Sequence, residues 1–204
     1  LVSFEPRVLI RYTLVESGSP TLLRLRPFLA FRSVNELTHE NALANSDMNE
    51  CANGRVNRMY DAFPPLYMQC SKAVTYHHDP VWYHDIEYQK EQERGFDYKE
   101  DQLVPGYFEL PMKKGESVVF AAGITEVNPA TLKATWAKEL KRRISRDDMF
   151  SCLKNAAAQF YKREGDQCHL LAGYPWFKAS AREEFFSLCA CTMGIGRPEY
   201  WDAI

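Results

Sequence analysis

The residue types best suited to chemistry sit near the C-terminal end, in Ala172-Gly-Tyr-Pro-Trp-Phe-Lys-Ala-Ser-Ala-Arg-Glu-Glu-Phe-Phe186. Tyr174, Trp176 and Phe177 crowd around Gly173 and Pro175, which punctuate the cluster as in a shaped loop, and the charged pair Arg182-Glu183 follows where a helix begins. Such a stretch is compatible with a sugar. A pyranose ring offers C–H faces to aromatic rings and paired hydroxyls to a charged donor and acceptor. The competing reading is plain packing, the commoner fate of clustered aromatic residues, with Tyr174, Trp176, Phe177, Phe185 and Phe186 forming the core side of a helix.

Three other groups invite a chemical reading. Glu87, Glu91, Glu93, Asp97, Glu100 and Asp101 are dense enough to supply a general acid and base. Their interleaving with Lys90, Arg94 and Lys99 points instead to a solvated, salt-bridged surface, with Arg94-Gly95 marking a tight turn. His77, His78 and His84 lack a Cys, Asp or Glu at a recognised ligand spacing, and adjacent His77 and His78 point to opposite faces of a strand, so no metal site is expected. Cys189 and Cys191 would lie about 200° apart around a helix, too far apart to act together. The basic run Lys138 to Arg143 lacks stacking aromatics and reads as the wet face of an amphipathic helix.

Length and composition bound what these residues can belong to. With 204 residues and 46% hydrophobic content the chain can bury a full core, enough for one large domain or one domain plus part of another. A formal charge of -2 provides no global field for nucleic acid or an anionic membrane, and neither is expected as a partner. No apolar run approaches the roughly 20 residues that span a bilayer, and no signal-peptide order appears after Leu1, the residue at which the sequence begins. The six cysteines, Cys51, Cys70, Cys152, Cys168, Cys189 and Cys191, form no CxxC pair and read as reduced and mostly buried, which suits a cytoplasmic protein. No cofactor motif is present.

The elements that must position these residues change character along the chain. Up to about Gly123, β-branched and aromatic runs predict strands at Val8 to Val15, Leu22 to Arg32, Arg55 to Tyr60, Leu66 to Tyr76, Val81 to Lys90, Gly106 to Leu110 and Ser117 to Ala121. The second of these turns from alternating to continuously apolar at Pro27, as a strand does on entering a two-sided core. Ser17-Gly-Ser-Pro20, Asn53-Gly54, Pro64-Pro65, Pro105-Gly106 and Lys113-Lys-Gly115 separate the runs, and an antiparallel β-sandwich follows. Ser33 to Asn53 is expected to be a loop with a short helical turn.

After Asn128-Pro129 the period is helical. Leu132, Trp136, Leu140 and Ile144 share one face, and Met149, Leu153, Ala157 and Phe160 form a second stripe that Gly165 ends. Gln167 to Phe177 is extended or irregular. A third helix is predicted over Ala181 to Gly194 with Phe185, Leu188 and Cys189 inward, and Arg197 to Asp202 begins a fourth, with Pro198 in its first turn.

Three collinear passages resemble one family. Leu25-Arg-Pro-Phe-Leu-Ala-Phe-Arg-Ser-Val-Asn-Glu-Leu-Thr-His-Glu-Asn41, then Tyr83-His-Asp-Ile-Glu-Tyr-Gln-Lys-Glu-Gln-Glu-Arg-Gly-Phe-Asp-Tyr-Lys-Glu-Asp101 with Pro105-Gly106, and finally Gly173-Tyr-Pro-Trp-Phe177 are similar to glycogen debranching enzymes of the bacterial and archaeal type. The resemblance implies a mainly β fold with C-terminal helices. Residues 1–125 would form an antiparallel β-supersandwich, 126–165 a helical linker, and 166–204 the first helices of an (α/α)6 toroid, truncated at Ile204.

The implied activity of the whole enzyme is amylo-α-1,6-glucosidase, with α-glucan (glycogen or limit dextrin) and the remainder of the catalytic domain as partners. Its catalytic carboxylates lie on later helices, so no catalytic residue is assigned here and the fragment is expected to be inactive. Carried over, Tyr174 and Trp176 form an apolar sugar platform, Arg182 donates to a glucose hydroxyl, and Glu183 stands where the family has Asp. Lys178-Ala-Ser-Ala181 also departs from the usual Asp-Trp-Gly spacer. The rival reading is a stand-alone, non-catalytic β-sandwich module that binds α-glucan or a protein. Reading frame beyond Ile204 separates the two. The helix faces meant for the rest of the toroid are expected to pack on the sandwich or on a second copy.

Overall fold

The computed structural model describes residues 1–3, 5–143, 145–173 and 177–204. The chain divides into two compact units, Leu1–Ala137 and Lys138–Ile204. The first holds eight strands, β1 (Arg7–Thr13), β2 (Thr21–Leu25), β3 (Asn49–Cys51), β4 (Gly54–Asn57), β5 (Leu66–Cys70), β6 (Thr75–Glu87), β7 (Lys99–Met112) and β8 (Ser117–Gly123). A one-turn helix, α1 (Gln89–Glu93), links β6 to β7. All pairings are antiparallel, in a five-stranded sheet of order β1-β8-β5-β4-β3 and a three-stranded sheet of order β2-β7-β6.

The two sheets share an apolar core. Met68 and Cys70 of β5 and Val118 of β8 meet Leu103, Phe108, Leu110 and Met112 of β7 across the sandwich. On β8 the alternation is complete: Val118, Phe120 and Ala122 face the second sheet, whereas Val119 and Ala121 face the opposite way, into a cluster with Val2, Leu9 and Leu132. Helix α2 (Leu132–Arg142) closes that second face through Leu132 and Trp136, and the Arg11 guanidinium lies 5.5 Å above the Trp136 ring. The unbroken run Val118-Val119-Phe120-Ala121-Ala122 thus belongs to a strand covered on both sides.

The mainly β, antiparallel architecture with helices after it agrees with the expectation from the sequence, and three local differences have identifiable causes. Strand β2 stops at Leu25, because Pro27 has no N–H for the ladder; Leu29 keeps a single bridge to Leu103, and Phe28 faces solvent at 45% exposure. The loop from Ser33 carries one hydrogen-bonded turn to Glu36 and then, at its end, the strand β3. Asn53, in the left-handed region at φ 47°, closes the β3–β4 hairpin. Finally, β6 is an edge strand interrupted by register shifts after His78 and after Tyr83, with Pro80 in the first and Asp85 at φ 53° in the second. Those interruptions blunt an edge that would otherwise offer thirteen residues for pairing.

The second unit contains α3 (Met149–Ala157), β9 (Tyr161–Glu164), β10 (Gln167–Gly173), β11 (Phe177–Ala179) and α4 (Ala181–Cys189), continued by a π-type turn over Ala190–Gly194 and a short 3-10 turn at Pro198–Tyr200. Asp148 caps α3 by accepting from the Ser151 backbone N–H at 2.9 Å. The helical stripe expected to run on to Gly165 ends at Ala157. Tyr161–Glu164 pairs with β10, and Gly165, at φ 62°, makes the hairpin turn between them. Cys168, Leu170 and Thr192 are buried, and Tyr161 stacks on Tyr200 at 4.4 Å.

Helical period was legible here, and burial was not. Phe185, expected inward, is 78% exposed, Cys189 is exposed and Leu188 only half-buried. Met149, Phe150 and Leu153 of α3 are exposed as well, and so is Leu140 on α2, whose expected companion Ile144 lies outside the described residues.

Candidate functional site

Of the four residues the sequence nominates, Arg182 and Glu183 occupy the first turn of α4, while Tyr174 and Trp176 lie outside the described residues. Their flanks are described. Gly173 of β10 pairs with Phe177 of β11, and Leu171 with Ala179, in antiparallel register. A Cβ on Gly173 would sit 2.6 Å from the Phe177 ring, and this close approach accounts for glycine at that position.

Arg182 is exposed and turns along its own helix, its guanidinium 6.0 Å from the centre of the Phe186 ring. Glu183 is half-buried and accepts a hydrogen bond from the Ser180 hydroxyl. That bond, with backbone hydrogen bonding at the helix start, holds the Glu183 carboxyl below its ordinary range. Ser180-Ala-Arg-Glu183 has the spacing of a capping box, a signal that places Glu183 at the start of a helix whatever else it does. The two charged groups share one helical turn, and Arg182, exposed, has the donors a hydroxyl-bearing ligand would need.

The next residue was not singled out from the sequence. Glu184 accepts from the Leu170 N–H at 3.1 Å and faces His169 Nδ1 at 3.2 Å, tying α4 to β10. Of two neighbouring glutamates, Glu184 fixes the helix on the sheet and Glu183 is left at the surface. Only the spacing of Glu183 and Glu184 in a first helical turn was visible beforehand; the partner strand was not.

The acidic cluster resolves into separate structural roles. Glu91 pairs with Arg94, Glu93 with Lys90 and Glu87 with Lys99, all at the surface. Glu100 departs from the surface reading: it is fully buried and accepts from Arg32, the Tyr88 hydroxyl, Gln102 Nε2 at 3.0 Å and the Thr38 N–H at 3.2 Å. Burial alone pushes its carboxyl up, but the bonds to Arg32, Tyr88, Thr38 and Gln102 outweigh that and leave it below the ordinary range. Asp101 accepts from the Glu40 and Asp85 N–H groups, each at 3.0 Å. These two neighbours fasten the loop after Ser33 to β6 and β7.

His77 and His84 are engaged with carboxylates, whereas His78 packs against the Tyr76 ring at 6.4 Å. His77 Nε2 lies 3.2 Å from Glu109 and its ring stacks on Tyr107 at 4.8 Å, while His84 reaches Glu40 and Asp101 at 3.2 and 3.4 Å. Among the described residues no group of His, Cys, Asp and Glu has the arrangement to hold a metal ion. The cysteines are free; Cys70 and Cys168 are buried, whereas Cys152 and Cys189 are exposed, against the expectation that most would be inside. No helix among the described residues is long and apolar enough to cross a membrane.

Comparison with known proteins gives one family. No curated protein and no solved structure matches the chain. A family model described as the glycogen debranching enzyme N terminal matches residues 1–119, more than half of the chain, from before β1 to within β8. The match contains β1 to β7, the start of β8 and the Glu100 and Asp101 contacts, and it stops short of α4. With its antiparallel sandwich spanning the matched residues, this chain belongs to the glycogen debranching enzyme N-terminal family.

Proposed function

We propose that the chain serves as the N-terminal region of an enzyme that hydrolyses the α-1,6-glucosidic branches of glycogen or limit dextrin. The observation that carries this reading is the family match over residues 1–119. In such an enzyme a carboxylic acid protonates the leaving oxygen and a carboxylate activates water on the opposite face, the two held roughly 6.5 to 9.5 Å apart for inversion. No pair of carboxylates in this chain is assigned that work. Arg182 and Glu183 are assigned to the terminal glucose, the first donating to a hydroxyl and the second accepting from one, with Tyr174 and Trp176 as the apolar platform.

The test is glucose release from a purified α-1,6 limit dextrin. The gene product in which this chain occurs is expected to release glucose, and the isolated 204 residues are expected to release none. Arg182→Gln in the active gene product should raise KM for the branched substrate by about ten-fold, the loss of one charge-assisted hydrogen bond. Glucose release by the isolated chain would overturn the assignment of the chemistry to residues outside it.

A further inference from the structure

Strands β1, β3, β2 and β6 are the edges of the sandwich, and all but β1 are protected. Strand β2 runs for only five residues between Pro20 and Pro27, β3 for three, and β6 is broken by Pro80 and two register shifts. Strand β1 carries none of these devices. It has no proline, and its register with β8 continues unshifted from Arg7 opposite Gly123 to Thr13 opposite Ser117.

The open side of β1 follows from its bonded side. The Leu14 N–H donates to the Glu116 carbonyl at 3.0 Å, toward β8, so by alternation Val8, Ile10 and Tyr12 address β8 as well. Leu9, Arg11 and Thr13 therefore turn their N–H and C=O groups outward, and among the described residues these groups have no backbone partner. The Arg7 carbonyl, on the same outer side, is taken by the Val2 N–H at 2.9 Å, which marks one end of the open stretch.

Val8 and Ile10 stand opposite Ala122 and Phe120, on the face turned to the second sheet, yet they are 38% and 40% exposed. Leu9, on the other face, is buried against Leu132 of α2. The edge thus offers an apolar row beside unpaired backbone, the combination that an added strand covers.

The strand that fits is β1 itself. In antiparallel pairing about a two-fold axis at Ile10, Val8 meets Tyr12 of the second copy and Ile10 meets its own mate, so the apolar row continues across the seam. On the opposite face Leu9 meets Arg11, and the two exchange both backbone bonds. Moving the axis by one residue either way sets Arg7 against Arg11, or Arg11 against itself, a like-charge contact. Arg7 is already held by Glu5 and Thr125, and Arg11 lies over Trp136, so neither calls for an acidic strand instead.

We propose that two copies of this chain associate through β1, antiparallel and centred on Ile10, joining their five-stranded sheets into one. The contact is small and belongs with weak, reversible interfaces.

Sedimentation velocity between about 10 μM and 1 mM, the range suited to so small an interface, should show a monomer–dimer equilibrium. Arg11→Pro removes an outward N–H while sparing the bonds to β8, and Ile10→Lys puts a charge in the apolar row. Each should raise the dimer Kd at least about ten-fold. With exposed Cys152 and Cys189 replaced by Ser, Ile10→Cys should link two chains on treatment with oxidised glutathione. The two Cα atoms at the axis lie about 4.5 Å apart, within the span of a disulfide. Val15→Cys, at a residue 76% exposed beyond the end of β1, is the control. A chain that stays monomeric to about 1 mM overturns the proposal. So does a dimer unmoved by both substitutions in chains of native circular dichroism, or Ile10→Cys linking no faster than the control. None of these readouts depends on the glucosidase reading.

Discussion

Arg32 closes over Glu100 inside the sandwich with two nitrogens, Nε and Nη2, on the two oxygens of one carboxylate that has no exposure to solvent. Removing one partner of a buried pair leaves a charge without compensation, so Arg32→Ala is expected to cost about 3 kcal/mol. Urea denaturation at neutral pH measures this. Because the folded Glu100 carboxyl lies below its ordinary value, its contribution is present above the unfolded value of about 4.3 and is lost as pH falls through the folded value. The cost of Arg32→Ala should therefore shrink as the denaturation is repeated toward pH 4, where the orphaned carboxyl takes up a proton.

Gly54 offers a sharper test of the sandwich. A Cβ there would lie 2.0 Å from the Met68 carbonyl oxygen in the neighbouring strand, whereas Gly95 and Gly115, both with positive φ, have nothing within 4 Å. Gly54→Ala must push β4 from β5 and should lose upwards of about 3 kcal/mol. Gly115→Ala meets only the left-handed backbone penalty of about 1 kcal/mol. Thermal melts of the two variants should separate them clearly.

Leu132 is 1% exposed and is the main apolar anchor of α2 on the sheet. Leu132→Ala should cost about 2 to 5 kcal/mol, depending on how far the helix can settle into the space. An unchanged melting temperature would mean that α2 contributes nothing to the sandwich.

The adjacent glutamates of α4 are expected to behave differently. Glu184→Ala leaves the Leu170 N–H without its acceptor and should loosen the second unit, which amide exchange at Leu170 would register as lost protection. Glu183→Ala loses the Ser180 hydroxyl and the backbone hydrogen bonding at the helix start, contacts that do not include Leu170, and should leave that exchange unchanged.

The strand content of the first unit was legible because apolar alternation and Gly, Pro and Asn punctuation coincide there, as in β8 and at Asn53-Gly54. Pro27 was equally visible, but its effect on β2 depends on whether the ladder needs that N–H, which only the partner strand decides. In the second unit, Tyr161-Lys-Arg-Glu164 carries no strand alternation of its own and is extended because β10 pairs with it. Phe185 and Leu153 follow a helical period faithfully, yet period tells which residues share a face and not whether anything covers it. At the candidate site, Arg182 and Glu183 were legible by type; the division of labour between Glu183 and Glu184 depended on where β10 runs.

Cys70, sealed between the sheets with its thiol pushed up to about 12 by burial, stays silent toward alkylating reagents for as long as the sandwich stays shut. Exposed Cys152 and Cys189 answer at once. One molecule thus carries its own stopwatch: the fast thiols give the zero of time, and Cys70, told apart from buried Cys168 by mapping the labelled residue, marks each opening of the two sheets.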